Sequence, residues 1–454
     1  MCTLLIHNAE IVNEGRAFHG YVAVDGEFIS AVAEGDAPLE LIEGASAVID
    51  ARGRLLLPGV IDTHVHFRDP GLTHKADIAT ESAAAITGGV TSYIDMPNTR
   101  PATTDMERVH EKMKRASEVS QANYSFFIGA TADNLPALVE ADYTEVPGVK
   151  LFMGSSTGNM LVDNEEYLER LFTEVPALIA VHAEDETLLR KRREAVVERY
   201  GENLPIEFHP VIRDHSVCYE ASRRAVELAR RHNHRLHLLH VSTGCELDLL
   251  SPGAPEGKLV TAETCPQYLA LCDEQYPLLG ARMKCNPAIK HAEDRDALRE
   301  AVNDGRIDTI ATDHAPHLLE EKCGTALTAV SGMPMIQFSL TLMLQMVEEG
   351  YFSLPTVVEK MCHNPAIIYG IDRRGFLRPG YYADLVIADN DCDPYTITDE
   401  WAVSRCGWTP LAGLTVQNKV DVTVVNGHIA YRHGVTFATR GKALKFKNLL
   451  SSQL

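Results

Sequence analysis

Two histidines and an arginine in one short run, His64-Val65-His66-Phe67-Arg68, are the residue types in this chain best suited to chemistry. They sit in the stretch LLLPGVIDTHVHFRDPG, residues 55–71, where an apolar run gives way to polar residues. On an extended strand side chains alternate, so His64, His66 and Arg68 are expected on one side. Two imidazoles at that spacing can grip one metal ion, and a guanidinium beside them can hold a carboxylate. Other polar residues stand at or near the ends of separate apolar runs: Asn98, Lys150, His182, His240 and Asp313. Any one of these histidines alone could be a satisfied core residue. Four at strand ends, with an acid closing the last strand, point instead to a metal site.

Bringing together residues spread over about 250 positions requires a particular architecture. The middle of the chain alternates strand-like and helix-like segments. The strand-like ones are GVIDTHVHF, VTSYIDM, YSFFIGA, GVKLFM, ALIAVHAE, LHLLHVS, LVTAET and DTIATDH. Helical stretches such as 106–120, 217–232 and 294–303 separate them. Eight such repeats predict an α/β fold, a (β/α)8 TIM barrel whose strand C-termini share one mouth. The first 56 residues and the last part of the chain read instead as short strands, with turns at Asp25-Gly26 and Asn426-Gly427. The expected division is therefore a barrel over 57–366 and a small composite β-sandwich from 1–56 and 367–454.

Composition narrows the function classes. A formal charge of -21 argues against nucleic acid or an anionic membrane as partner, since both demand a basic face. No apolar run reaches membrane-spanning length, and MCTLLIHNAE lacks the basic start and apolar core of a secretion signal. The ten cysteines show no CxxC pair and read as reduced thiols of a cytoplasmic protein.

Nine segments carry a more specific likeness: HVHFRDPG (64–71), MPNTRP (96–101), KLFM (150–153), VHAED (181–185), LLHVST (238–243), ETCPQYL (263–269), CNPAIK (285–290), DHAPH (313–317) and GFLRPGYYADLVIAD (375–389). Together they resemble the amidohydrolase superfamily and, within it, the dihydroorotases, especially the branch shared with the animal multifunctional pyrimidine enzyme. That resemblance implies a binuclear centre. His64, His66 and Asp313 would hold one divalent ion, His182 and His240 the other, and Lys150 would bridge them as a carbamate. Burial beside two cations favours the neutral amine that carbon dioxide can carboxylate. Nitrogen and oxygen donors suit zinc and also admit cobalt or manganese. Some relatives bridge with an aspartate, but here Asp163 lies well downstream of the strand, which favours Lys150.

The implied reaction is reversible hydrolysis of (S)-dihydroorotate to N-carbamoyl-L-aspartate, in de novo pyrimidine (UMP) biosynthesis. A metal-bridging hydroxide would attack the ring, with Asp313 as general base and then acid. Arg68, Asn98 and His317 would hold the substrate carboxylate. Asn286 and backbone near Thr328 and Ala329 would contact the ring amides. A homodimer is implied, and some relatives also dock on aspartate transcarbamoylase. Hydantoinases and allantoinases share the histidines, the lysine and the aspartate, and Arg68 with MPNT separates the readings. An inactive scaffold homologue would be expected to have lost ligands, and none is missing here. Residues 155–159 or 318–332 are the candidates for a loop closing over substrate. His234 and His237 read as satisfied, His314 as facing away from the mouth, and Asp95 as a local hydrogen-bonding group. Glu263 and His74 have no assignment.

Overall fold

The computed structural model describes residues 2–154, 160–162 and 164–447. Two of the expectations above, the 155–159 loop and Asp163, lie outside the described residues. Five strands open the chain: β1 (Leu4–Asn13), β2 (Arg16–Asp25), β3 (Phe28–Glu34), β4 (Val48–Asp50) and β5 (Leu55–Pro58). Next come β6 (Val60–Val65), β7 (Val90–Asp95), β8 (Asn123–Phe126), β9 (Ile128–Gly129), β10 (Val149–Phe152), β11 (Ile179–His182), β12 (Leu236–Leu238), β13 (Val260–Thr264) and β14 (Thr309–Ile310). The last group is β15 (Leu385–Asp389), the short pair β16 (Tyr395–Thr396) and β17 (Thr415–Val416), then β18 (Lys419–Val425), β19 (His428–Arg432) and β20 (Val435–Thr436).

The middle strands are parallel. One run is β6-β7-β8 and the other β9-β10-β11-β12-β13-β14. Strands β8 and β9 are one extended segment interrupted at Phe127, whose amide donates to the Asp95 carbonyl. At the far edge, Val65 of β6 forms a parallel bridge with His314, just beyond β14. The His66 amide donates to the His314 carbonyl at 2.7 Å, and the His314 amide to the His64 carbonyl at 3.3 Å. The parallel pairing therefore runs through eight strand positions and returns to its start. Every residue of β6, β7, β10 and β11 is buried, as parallel strands covered on both faces must be.

Several of the intervening helices begin at side-chain caps that satisfy their first free amides. Asp77 caps Ile78–Thr87, Asp105 caps Met106–Val119, Asp185 caps Glu186–Tyr200, and Asp214 caps His215–His232. The Asp214 cap sets the last helix two residues earlier than its apolar pattern suggests.

The chain ends meet in a separate sheet of nine strands, ordered β20-β19-β18-β15-β5-β1-β2-β3 with β4 also beside β1. Its core includes Ile6, Ile11, Val24, Leu56, Leu385, Ile387 and Val422. Strand β5 joins the two regions: it pairs with β1 and β15, and one residue later the chain enters β6. The β18–β19 turn is Asn426-Gly427, both at positive φ, the geometry a two-residue hairpin requires.

Candidate active site

The residues singled out by spacing converge, though not by simple strand alternation. Pairing of β6 ends at Val65, and Arg68 lies beyond it at φ +68°. His66 is carried by its amide N–H donating to the His314 carbonyl, and Phe67 by its amide donating to the Asp95 carboxylate at 2.8 Å. Arg68 thus reaches the mouth through a turn, not along an extended strand. His240 (φ +40°) and Asp313 (φ +48°) are also left-handed, just past the ends of β12 and β14. That backbone ends the ladders earlier than LHLLHVS and DTIATDH suggest. Such costly conformations in non-glycine residues concentrate where side chains must be aimed.

A cavity of about 280 Å³ is lined by His64, His66, Arg68, Asn98, Lys150, Phe152, His182, His240, Asn286, Asp313, Ala315 and His317, closed by Val330, Ser331 and Gly332. Thr328 and Ala329 are not in its wall. Thr328 is exposed and bonds within the loop to Thr325, while the Ala329 carbonyl accepts from buried Lys284. The loop meets the cavity a few residues later because its intervening backbone is consumed by these internal bonds.

Hydrogen bonds fix the imidazoles. His64 Nδ1 donates to Glu263 Oε1 at 2.7 Å, and His66 Nδ1 to Asn98 Oδ1 at 2.8 Å. Their Nε2 atoms are then lone-pair donors. They lie 3.2 Å and 3.0 Å from the same Asp313 oxygen. These three groups can hold a metal, with ligand atoms all within 4.8 Å of one another. Across the cavity His182 Nε2 donates to Glu184 at 3.1 Å, leaving Nδ1 2.8 Å from His240 Nε2. With its proton on Nε2, His240 donates to His182 Nδ1, and buried imidazole nitrogens gathered with a carboxylate are the donor chemistry that divalent ions take.

The charge states agree. Burial lowers His66 to about 4 and holds His182 and His240 below the usual imidazole range, so all three are neutral. Burial opposes the Asp313 charge, but His64 and His66 more than offset it, and the carboxylate lies below its ordinary range. Lys150 is fully buried with no hydrogen-bond partner on Nζ, and burial lowers it to about 7 against pull from Asp313 and Glu263. An ammonium so placed would be costly, whereas a neutral amine can be carboxylated.

Asn286 Oδ1 is likewise buried without a partner. His317 Nε2 lies 3.0 Å from Arg68 Nη2, and its Nδ1 3.0 Å from Lys75 Nζ. Burial, Arg68 and Lys75 drive the His317 pKa far down, so its ring is neutral. The other singled-out residues fall outside the cavity wall. His314 donates to Glu81 at 2.8 Å and accepts the Met335 and Ile336 amides. His237 bonds Thr261, His234 bonds the Val175 and Arg235 carbonyls, and Asp95 takes Lys112 beside the Phe67 amide.

Several residues that support the site were not found by spacing. Glu263, left unassigned above, orients His64; Glu184 orients His182 and pairs with Arg213; Lys75 reaches His317. The available signal for the first two was an ionisable residue in or just past a largely buried strand, which needs a partner.

Comparison with known proteins agrees with this geometry. Residues 55–430 match the family model described as "Amidohydrolase family". The chain is 33% identical to a dihydroorotase of Geobacter metallireducens over 432 residues, 93% of this chain and 99% of that one. It is 30% identical to an allantoinase of Salmonella choleraesuis over 457 residues, 97% and 98% of the two chains. The solved L-hydantoinase (dihydropyrimidinase) of Arthrobacter aurescens superposes with a TM-score of 0.91 at 28% identity, covering 98% and 100%. With a family match across most of its length, and with lone-pair donors converging at the strand ends, the chain belongs to the amidohydrolase family.

Proposed function

We propose that this metal-dependent cyclic amidohydrolase is a dihydroorotase, interconverting (S)-dihydroorotate and N-carbamoyl-L-aspartate in de novo pyrimidine biosynthesis. The observation that carries the reading is the Arg68–His317 pair on the wall of the cavity that holds the metal ligands. A guanidinium there has an obvious use for a ring bearing a carboxylate and none for an uncharged one. Dihydroorotases among the relatives at about a third identity support it.

In this reading His64, His66 and Asp313 would hold one divalent ion, His182 and His240 would hold a second, and Lys150 would contribute as a carbamate; zinc suits the donors. The ions would supply polarisation of the ring carbonyl and acidification of water. The chain does the rest. Arg68, His317 and the amide of Asn98 bind the carboxylate, and the Asn286 oxygen accepts a ring N–H. Asp313 takes a proton from the attacking water and delivers it to the departing ring nitrogen. The wider reading assigns a (β/α)8 barrel to 57–366 and a composite β-sandwich to 1–56 with 367–454, in a cytoplasmic homodimer.

The L-hydantoinase likeness favours a second reading, hydrolysis of an uncharged cyclic amide. Turnover by zinc-replete protein of dihydroorotate and N-carbamoyl-L-aspartate, beside dihydrouracil and hydantoin, decides between them. Activity confined to the carboxylate-bearing pair is expected. Efficient turnover of the neutral rings, with none of dihydroorotate, would overturn the dihydroorotase reading.

A further inference from the structure

His317 sits between two cations. Arg68 Nη2 is 3.0 Å from its Nε2, and Lys75 Nζ is 3.0 Å from its Nδ1. A neutral imidazole has one N–H and one acceptor nitrogen, so it can accept from only one of them. The other cation faces an N–H, donor against donor. Protonating the ring would leave no acceptor at all.

The two cations are held differently. Lys75 is outside the cavity wall and is anchored by Glu321, whose Oε1 lies 2.6 Å from Nζ. Glu321 is itself fixed, accepting the Leu318 amide at 2.9 Å. The Lys75 side chain is only 12% exposed. The His317 backbone is fixed as well, since buried Trp408 donates its indole N–H to the His317 carbonyl at 2.7 Å. Arg68 is anchored too, its Nε donating to the Pro316 carbonyl at 3.2 Å, but unlike Lys75 it forms part of the cavity wall.

We propose that Lys75, anchored by Glu321, is a positioning residue that sets the His317 tautomer: it donates to Nδ1, leaves the proton on Nε2, and so makes His317 a hydrogen-bond donor toward an anionic group of the substrate. Without an anion, the Nε2 proton and the Arg68 guanidinium confront each other. A carboxylate accepting from both removes the conflict, whereas an uncharged ring leaves it in place. Selectivity for an anionic ring is thereby built from three residues on two loops, not from Arg68 alone.

The substrate's identity rests on the dihydroorotase reading, and the tautomer does not. The test therefore has two readouts on metal-loaded protein. The first is nitrogen-15 NMR of labelled histidine, with His317→Gln to assign the signal. The second is steady-state kinetics with dihydroorotate. In the parent protein with dihydroorotate present, His317 should carry its proton on Nε2. Lys75→Met should move the proton to Nδ1 and raise KM about tenfold to a hundredfold, with kcat changed far less. Lys75→Arg, which keeps a donor, should restore much of the KM. An unchanged tautomer in Lys75→Met overturns the proposal, as does a loss of kcat matching that in KM which Lys75→Arg fails to restore. Parent protein inert toward dihydroorotate would instead count against the dihydroorotase reading, and the tautomer shift would still be read on the ligand-free enzyme.

Discussion

In the proposed reaction Asp313 serves as both metal ligand and proton carrier. Its carboxylate, beside His64 and His66, is held below the usual carboxylate range, and its backbone is left-handed at φ +48°. Asp313→Asn should reduce kcat by about 10²–10⁴-fold while the circular dichroism spectrum stays that of the parent. Glu263 acts one bond further out. Its carboxylate fixes which nitrogen of His64 is free, so Glu263→Gln should weaken metal affinity by about 10- to 100-fold, measured by competition with a chromogenic chelator. Legibility differed between these two residues. Asp313 stands in a visible DHAPH segment at a strand end, whereas the Glu263 partner lies 199 residues away, a pairing no local pattern encodes.

At the scale of elements, the wall of the cavity formed by 330–332 is held by buried lysines. Lys322 Nζ donates to the carbonyls of Lys284, Val330 and Gly332 at 2.9, 2.8 and 2.7 Å. Lys284 donates in turn to Ala326 and Ala329. The loop is thereby tied to the segment carrying Asn286. Lys322→Met leaves three carbonyls without this donor and should cost about 1–3 kcal/mol, read by denaturant unfolding, with KM raised more than kcat is lowered. Gly332 tests the same wall sterically. At φ +137° an added Cβ would lie 2.6 Å from the Ala315 carbonyl and 2.8 Å from the His317 ring. Gly332→Ala should therefore raise KM for dihydroorotate without altering metal content. Spacing marks 318–332 as a candidate loop, whereas the internal bonds at Thr328 and Ala329 depend on tertiary contacts that spacing does not encode.

At the scale of the molecule, size does not locate the site. The cavity between the stretches leading into β13 and β14 and the region around Arg374 and Arg378 is far larger, about 810 Å³, yet it does not contain the histidine donors. What distinguishes the 280 Å³ cavity is convergence of donors from separate strands of one closed ring. A metal bound there ties β6, β11, β12 and the end of β14 together. Chelation should lower the unfolding temperature and zinc should restore it, since a ligand at a thousand times its Kd adds about 4 kcal/mol to the folded state. His182→Ala should bind about half the metal of the parent, measured by elemental analysis, because the His64–His66–Asp313 set is left intact. No helix among the described residues is long and apolar enough to cross a membrane.

Read alone, the sequence determined the parallel alternation, the strands shared between the two chain ends, and the residue types that gather at the mouth. Those follow from local periodicity and from polar residues placed where apolar runs stop. It could not decide the left-handed turn that brings Arg68 round, the tautomers of His64 and His182, or the pair of cations around His317. Each depends on contacts such as Arg68 to His317, 249 residues apart, which exist only once the strand ring has closed.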